Sequence, residues 1–342
     1  MDHIFNHVKI EAISGVVGKN PLNVQKLANS FCIPEKRIKR FIKTNGFEHL
    51  RVLSDNLSFG DMCVKASQSL LDSLNIPPSK IESFICASHS HDYFIPGTSY
   101  TIQNRIGLTK DCFLSDTVQS CPGFIFSIIH ACSLIESNLC KNVLLCVGDI
   151  VDRRYPLSED LSDYDSYLEN SDGCACILFS YSHENNPIHI STQSYGEFYR
   201  SAFSPNFGMR STRISVGCDK YRVDGNIMNS FVLDTVSKHF ASFISNNKIC
   251  MDELDYIVFQ QTGNALIKAL GSVLELPEEK CPFVSKEYGN MSSASIPISV
   301  LKLNENHKKT RSLVLHSFGV GLASAICKLN LNNTVFSSII EM

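Results

Sequence analysis

The chain lacks a charge excess, a long apolar run and the common nucleotide and serine-hydrolase signatures, and each absence removes a class of protein. Its 342 residues carry 31 Lys+Arg against 34 Asp+Glu, a formal net charge of −3. A general nucleic-acid binder normally shows a basic surplus, so that class is set aside. No stretch of about 18 apolar residues occurs, so no membrane-spanning helix is expected. The opening segment, MDHIFNHVKI, has no basic region followed by an apolar block, so no secretory leader is expected either. There is no P-loop, no Gly-x-Ser-x-Gly and no EF-hand, and the Gly-x-Gly at 319–321 is too short for a dinucleotide fingerprint. A linker rich in Pro, Gly or Ser is missing, and so is a short tandem repeat.

Hydrophobic residues make up 44% of the chain and charged residues 19%, the balance of a globular protein. A chain of this length buries roughly 75% of its unfolded surface. The 14 cysteines are irregularly spaced and mostly lie inside apolar runs, such as Phe84-Ile85-Cys86 and Leu145-Cys146-Val147. They read as buried thiols acting as small hydrophobes, which implies a reducing compartment, the cytoplasm.

Strand-length apolar runs alternate with helix-period segments. Strands are expected at Val8–Val17, Ser83–Ala87, Cys112–Val118, Lys141–Gly148, Cys174–Ser180, Ile188–Gln193, Tyr256–Phe259, Arg311–His316 and Leu322–Leu329. Helices are expected at Pro21–Phe31, Glu35–Lys43, Ser58–Leu74, Gly97–Arg105, Asn229–Ser245, Asn264–Leu274 and Ser292–Leu303. Between strands lies a nearly all-apolar helix, in which Phe124, Ile128, Cys132, Ile135 and Leu139 recur at spacings of three and four. Arg153–Ser171 and Gly196–Asp224 read as polar excursions. The alternation predicts a layered α/β architecture of two similar halves.

Cys121 stands between a buried strand and this apolar helix. Pro122 suits a first helical turn, and a thiol at a helix N-terminus is expected to have its pKa lowered toward the thiolate, the state of a nucleophile. A core cysteine is the competing reading. Asn290 precedes a helix whose first turn holds small residues; it either points an amide into a cavity or caps that helix. The turn Phe318-Gly319-Val320-Gly321 leaves backbone N–H groups free to line an oxyanion hole, or is a tight structural turn. In Ser88-His89-Ser90-His91-Asp92, alternating histidines on a strand would share a face, but no matching Cys/His pair completes a metal site.

Four segments in order, Ser120-Cys121-Pro122-Gly123-Phe124, Asp172-Gly173-Cys174-Ala175, Gly289-Asn290-Met291-Ser292-Ser293-Ala294-Ser295-Ile296-Pro297 and Phe318-Gly319-Val320-Gly321-Leu322, resemble the β-ketoacyl-acyl carrier protein synthase III family of the thiolase superfamily. The likeness covers nearly the whole chain. It implies a thiolase-like five-layer α/β/α/β/α fold of two pseudo-duplicated halves, here 1–180 with the nucleophile and 181–342 with Gln260, Asn290 and the glycine turn. It also implies a homodimer, with Asp92–Ser99 preceding the interface helix, or a heteromer with a paralogue. Cys121 matches the family's nucleophile and Asn290 its asparagine. The Cys121 and Val320 N–H groups match the oxyanion hole, and Thr44, Gly123, Gly263, Phe318 and Gly319 are implied as substrate-binding positions. The substrates implied are acyl thioesters of coenzyme A or of carrier-protein phosphopantetheine, and the routes fatty acid biosynthesis or secondary metabolism. No metal or redox cofactor is implied.

One departure stands out. The family opens a His-Gln-Ala-Asn motif after a strand, whereas this chain reads Phe259-Gln260-Gln261-Thr262-Gly263, with Gln260 at the histidine position. A neutral amide donates a hydrogen bond to a carbonyl but cannot take a proton. The expectations are therefore decarboxylative condensation with Gln260 as donor, acyl transfer from Cys121 to another O, N or C nucleophile, or a non-catalytic subunit beside an active paralogue. His316 is a candidate substitute base. The basic run from Arg210 to Arg222 is a candidate docking patch for an acidic carrier or for phosphates, with Lys268 adding to it.

Overall fold

The computed structural model describes residues 1–151, 165–204, 222–305 and 310–342. Along the first half run β1 (Asp2–Phe5), β2 (Val8–Val17), β3 (Asn20–Asn23), α1 (Val24–Ser30), α2 (Glu35–Asn45), β4 (His49–Val52), α3 (Phe59–Leu74), β5 (Ser83–Ala87), α4 (Thr98–Ile106), β6 (Phe113–Thr117), α5 (Gly123–Glu136), β7 (Asn142–Asp149), α6 (Asp165–Glu169) and β8 (Gly173–Tyr181). The second half has β9 (Ile188–Ser194), β10 (Ala202–Phe203), β11 (Arg222–Val223), α7 (Gly225–Ser230), α8 (Ser237–Asn246), β12 (Tyr256–Phe259), α9 (Asn264–Val273), α10 (Ser295–Glu305), β13 (Ser312–Gly319), β14 (Ala323–Asn330) and β15 (Val335–Glu341).

Among the described residues two sheets carry the fold, a six-stranded one ordered β15-β2-β8-β7-β5-β6 and a five-stranded one ordered β1-β9-β14-β13-β12. Side-chain alternation along the strands sorts their residues into three cores. The central core joins α5 and α10 to the inner faces of both sheets, through Ile85, Leu145 and Ile177 on one side and Val258, Leu315 and Cys327 on the other. The outer face of the first sheet meets α3 and α4 through Cys86, Cys146, Met62 and Ile102. The outer face of the second meets α8 and α9 through Phe259, Val314, Phe240 and Leu270. Helices, sheet, helices, sheet, helices is the five-layer α/β/α/β/α arrangement, and the apolar α5 is its hidden middle.

Local signals match the elements they start. Ser58 caps α3: its hydroxyl accepts from Asp61 N while its own N–H donates to Asp61 Oδ2 at 2.6 Å. Two expectations are corrected. Pro21 and Leu22 lie in the two-stranded antiparallel β3–β4 sheet, not in a helix, because Pro21 cannot donate and sits on an edge strand, and α1 begins only at Val24 behind its Asn23 cap. The strands β1 and β15, unmarked in the sequence reading, each join the opposite half's sheet. The cysteine expectation concerns thirteen described residues, all free thiols; Cys32 and Cys250 are exposed and the other eleven buried. No helix among the described residues is long and apolar enough to cross a membrane. Most of the excursion after Arg153, and the basic run from Arg210 to Arg222, lie outside the described residues and side chains.

Candidate active site

Cys121 ends the turn between β6 and α5, just before Pro122. It retains 9% exposure, whereas the core thiols Cys63, Cys86, Cys146 and Cys174 have none. Gly319 closes one side: a Cβ there would stand 3.0 Å from Cys121 Cβ and 3.3 Å from its sulfur, and its φ of +155° suits only glycine. Ser317, on the same face of β13, donates to the Cys121 carbonyl at 2.6 Å. Ser120 Oγ and Ser292 Oγ lie 3.9 and 4.0 Å from Cys121 Sγ and 3.3 Å from each other. Burial pushes the thiol up to about 11, against the pull of those two hydroxyls. The expected thiolate is therefore corrected: desolvation outweighs the pull of the two hydroxyls, and Cys121 is held as a protonated thiol near neutral pH.

Asn290 arrives on the loop before α10. Its N–H donates to Glu169 O at 2.7 Å and its carbonyl accepts from Ser171 N at 2.9 Å. Gly289, with φ +66°, is needed because a Cβ would overlap Ser171 Oγ. Asn290 Oδ1 accepts from Ser292 N at 3.1 Å, Ser295 Oγ at 3.1 Å and Gln260 Nε2 at 3.4 Å. With Oδ1 held by these three donors, Nδ2 is the end of the amide left to serve a ligand.

Gln260, at the end of β12, has no exposure at all. Its Nε2 also donates to Ser292 O at 2.9 Å, and its Oε1 accepts from Ser317 at 3.0 Å. Both amide hydrogens are thus committed within the protein. The expectation that Gln260 donates to a substrate carbonyl is corrected: Gln260 braces Asn290 and the Ser292 backbone, and joins them to the Cys121 turn through Ser317.

His316 is corrected as well. It occupies the opposite face of β13 from Ser317 and is buried among Phe240, Phe259, Phe318 and His239, with ring centroids 5.6–6.0 Å away. Its Nε2 meets Ser324 Oγ at 2.8 Å, and burial holds its pKa well below the usual histidine range. It is a neutral core residue, and the two-residue alternation of β13 turns it away from Cys121.

The remaining positions spread around this centre. Gly123 opens α5, with Ser293 Cβ 3.6 Å from where its own Cβ would be. Gly263 precedes α9 at φ +143°, against Asn45, whose neighbour Thr44 is exposed at the end of α2. Phe318 lies in the outer core of the second sheet, and Val320 is half-buried at the tip of the glycine turn, its N–H unclaimed by another backbone group of the described residues. Lys268 pairs with Glu278 at 2.7 Å. The histidines after β5 do not share a strand face: His89 lies 3.0 Å from Asp149 and His91 3.6 Å from Asp116. A cavity of about 760 Å³ beside α3, lined by Lys65, Gln68, Leu71 and Ile340, includes none of these residues.

Sequence reasoning missed Ser292, Ser317 and Asp149. Asp149 was visible as an acid closing an apolar strand. Ser317 was visible through the alternation that opposes it to His316.

Comparisons with known proteins place the chain beside one family. Residues 115–196 match the family model described as 3-oxoacyl-[acyl-carrier-protein (ACP)] synthase III, and residues 244–331 match the model of its C-terminal part. A β-ketoacyl-[acyl-carrier-protein] synthase III of Campylobacter jejuni subsp. doylei is 29% identical over 303 residues, 85% of this chain and 89% of that protein. A putative 3-oxoacyl-[acyl-carrier-protein] synthase 3 of Campylobacter jejuni subsp. jejuni is 23% identical across 98% of this chain and 97% of its own length. The fold is shared with the crystal structure of a 3-oxoacyl-(acyl-carrier protein) synthase from Burkholderia xenovorans, at a TM-score of 0.92 and 24% identity, covering 100% of this chain and 99% of that one.

Proposed function

We propose that this chain, which belongs to the 3-oxoacyl-[acyl-carrier-protein] synthase III family of the thiolase superfamily, is a condensing acyltransferase that carries its acyl group on Cys121. The observation that carries the reading is the meeting of three distant segments at one sulfur: the Cys121 turn, the Gly319 backbone and the Asn290–Ser292 loop. Cys121 Sγ attacks the carbonyl of an acyl thioester, on coenzyme A or on a carrier protein, and the carrier thiol leaves. The Cys121 and Val320 N–H groups stabilise the oxyanion. A malonyl-type thioester then places its carbonyl at Asn290 Nδ2. Carbon dioxide departs, its bonding pair becomes an enolate, and the enolate carbon attacks the acyl carbon and frees Cys121. Gln260 stands at the family's histidine position as a positioning residue. The step moves no electrons to or from an external carrier and calls for no cofactor beyond its thioester substrates.

One observation favours a second reading, acyl transfer from Cys121 to an O or N nucleophile without decarboxylation: Gln260 is closed off, leaving a single side-chain amide for the enolate.

The reading extends to a homodimer. β6 forms the open edge of its sheet, and nearby Phe94 and Ile95 are 86% and 88% exposed, the apolar edge that proteins usually cover. The free thiols fit a cytoplasmic setting.

The test is intact-mass spectrometry with a panel of acyl thioesters. One acyl mass is expected on the native chain and none on Cys121→Ala; an adduct persisting in that variant removes Cys121 from the reaction. Carbon dioxide release from malonyl thioesters separates condensation from simple transfer. A chain that acylates only beside a paralogue is a subunit, not a complete enzyme.

A further inference from the structure

We propose that Asp149 is the proton acceptor for the Cys121 thiol, reached through the hydroxyl of Ser292. The inference rests on Cys121 as the nucleophile and supplies what the site otherwise lacks, since Gln260 cannot take a proton and His316 faces away.

Asp149 is the last residue of β7 and is completely buried. Its Oδ1 is saturated, accepting from Ser88 Oγ at 2.8 Å, His89 N at 2.8 Å and Ser90 Oγ at 3.2 Å. Its Oδ2 accepts no aligned hydrogen bond, although His89 Nδ1 lies 3.0 Å away. A buried carboxylate oxygen without an aligned donor is unusual and calls for a role. The Ser292–Ala294 turn packs against β7, and the Ser292 hydroxyl favours the charged carboxyl, though short of a formed hydrogen bond. That same hydroxyl stands 4.0 Å from Cys121 Sγ and 3.3 Å from Ser120 Oγ. Ser292 therefore sits between an acid that needs a donor and a thiol that needs an acceptor.

Burial pushes Asp149 up to about 7, opposed by Ser292, Ser88 and Ser90, so near neutrality it is divided between acid and base. The ionisable groups around it are few. His89 Nδ1 lies 3.0 Å from Oδ2 without hydrogen-bond alignment and keeps part of its ring in solvent. The charge of His91 lowers the Asp149 pKa, and Cys121 faces it from the α5 side. The adjoining end of β8 offers Asp172, whose oxygens are taken by Leu53 N and Val151 N.

In the step proposed, the thiol proton passes to Ser292 Oγ as the Ser292 proton passes to Asp149. The bond from Cys121 Sγ to the acyl carbon forms, the bond to the carrier sulfur breaks, and the leaving thiolate takes the proton back.

Charge repulsion and proton acceptance predict opposite effects of removing the carboxylate. An ionised Asp149 that acted only through its charge would raise the thiol pKa, so Asp149→Asn would react faster than the native chain above pH 7. As a base it speeds Cys121, so Asp149→Asn would react more slowly over the same range. The test is the rate of Cys121 carbamidomethylation by iodoacetamide, read by peptide mapping because Cys32 and Cys250 are exposed. We expect a rise through about pH 7 and a second toward 11. Asp149→Asn and Ser292→Ala are each expected to lose the first rise, react about 10²-fold more slowly at pH 8, and keep the second. An Asp149→Asn rate at pH 8 equal to or above the native one, or a first rise that survives in both variants, overturns the proposal. Should Asp149→Asn fail to fold, Ser292→Ala decides. The alkylation needs no acyl thioester, so its outcome is independent of whether the chain condenses anything; acylation of Asp149→Asn at the native rate would overturn the relay alone.

Discussion

Replacing Asn290 by Asp separates the two ends of its amide. The Oδ1 end accepts from Ser292 N, Ser295 Oγ and Gln260 Nε2, and a carboxylate keeps all three contacts. Burial alone would push the new acid up, but three donors favour its charged form. The fold is therefore expected to survive, with stability within about 1 kcal/mol of the native chain. Asn290→Ala instead strips an acceptor from a site with 6% exposure. Each buried donor left unmatched costs about 1–3 kcal/mol, and since Gln260 keeps Ser292 O, the two remaining donors give a total of about 2–6 kcal/mol. The Nδ2 end is lost in both variants. Losing one donor aimed at a developing oxyanion typically costs about 10²–10³ in rate, so decarboxylation of malonyl-coenzyme A is expected to fall by that factor in each. The assay pairs thermal unfolding with carbon dioxide release, and intact mass checks that Cys121 still acylates. Native-like decarboxylation by Asn290→Asp refutes Nδ2 as the donor. An Asn290→Asp protein as unstable as Asn290→Ala refutes the account of Oδ1.

Gly289→Ala forces a methyl onto Ser171 Oγ at φ +66°, so a loss of about 3 kcal/mol or more and a displaced Asn290 are expected, checked by urea unfolding and carbon dioxide release. Asp149, raised from 3.8 to about 7, binds its proton more tightly folded than unfolded. Its contribution to stability is therefore full below the unfolded value, declines as pH rises between about 4 and 7, and is flat above; Asp149→Asn should flatten that slope in unfolding measured at pH 5 and pH 8. On the proposed homodimer, light scattering should find a dimeric native chain and a monomeric Phe94→Asp with Ile95→Asp variant; a variant of native size refutes an interface at Phe94 and Ile95. Ser58→Ala removes the α3 cap and should cost about 1 kcal/mol in the same unfolding assay, without changing Cys121 acylation.

The layered architecture was legible because strands buried on both faces read as continuous apolar runs, and α5 carries apolar residues all round. The small strands were not. β3 and β15 are short or half-exposed, and their pairing is decided by distant partners, Arg51 for Pro21 and Ala12 for Val335. At the site, the order of motifs pointed to Cys121 and Asn290, whose segments the structure brings together. The protonation of Cys121 was not, because burial is a tertiary property that a helix-start argument omits. Nor was the commitment of Gln260, whose partners Ser292 and Ser317 lie 32 and 57 residues away. The direction of His316 was within reach, since Leu315 and Ser317 share one face of the strand and Val314, His316 and Phe318 the other.

The crossing of the end strands carries a consequence for dissecting the molecule. β1 hydrogen-bonds to β9 in antiparallel register, and β15 to β2 in parallel, so each terminal segment completes the sheet of the half it does not belong to. Cutting the chain near residue 180 would hand each fragment a strand its own sheet cannot use, and would strip β2 and β9 of a neighbour. Expressed apart, the fragments would present raw sheet margins; expressed together, they have two strand exchanges by which to find each other.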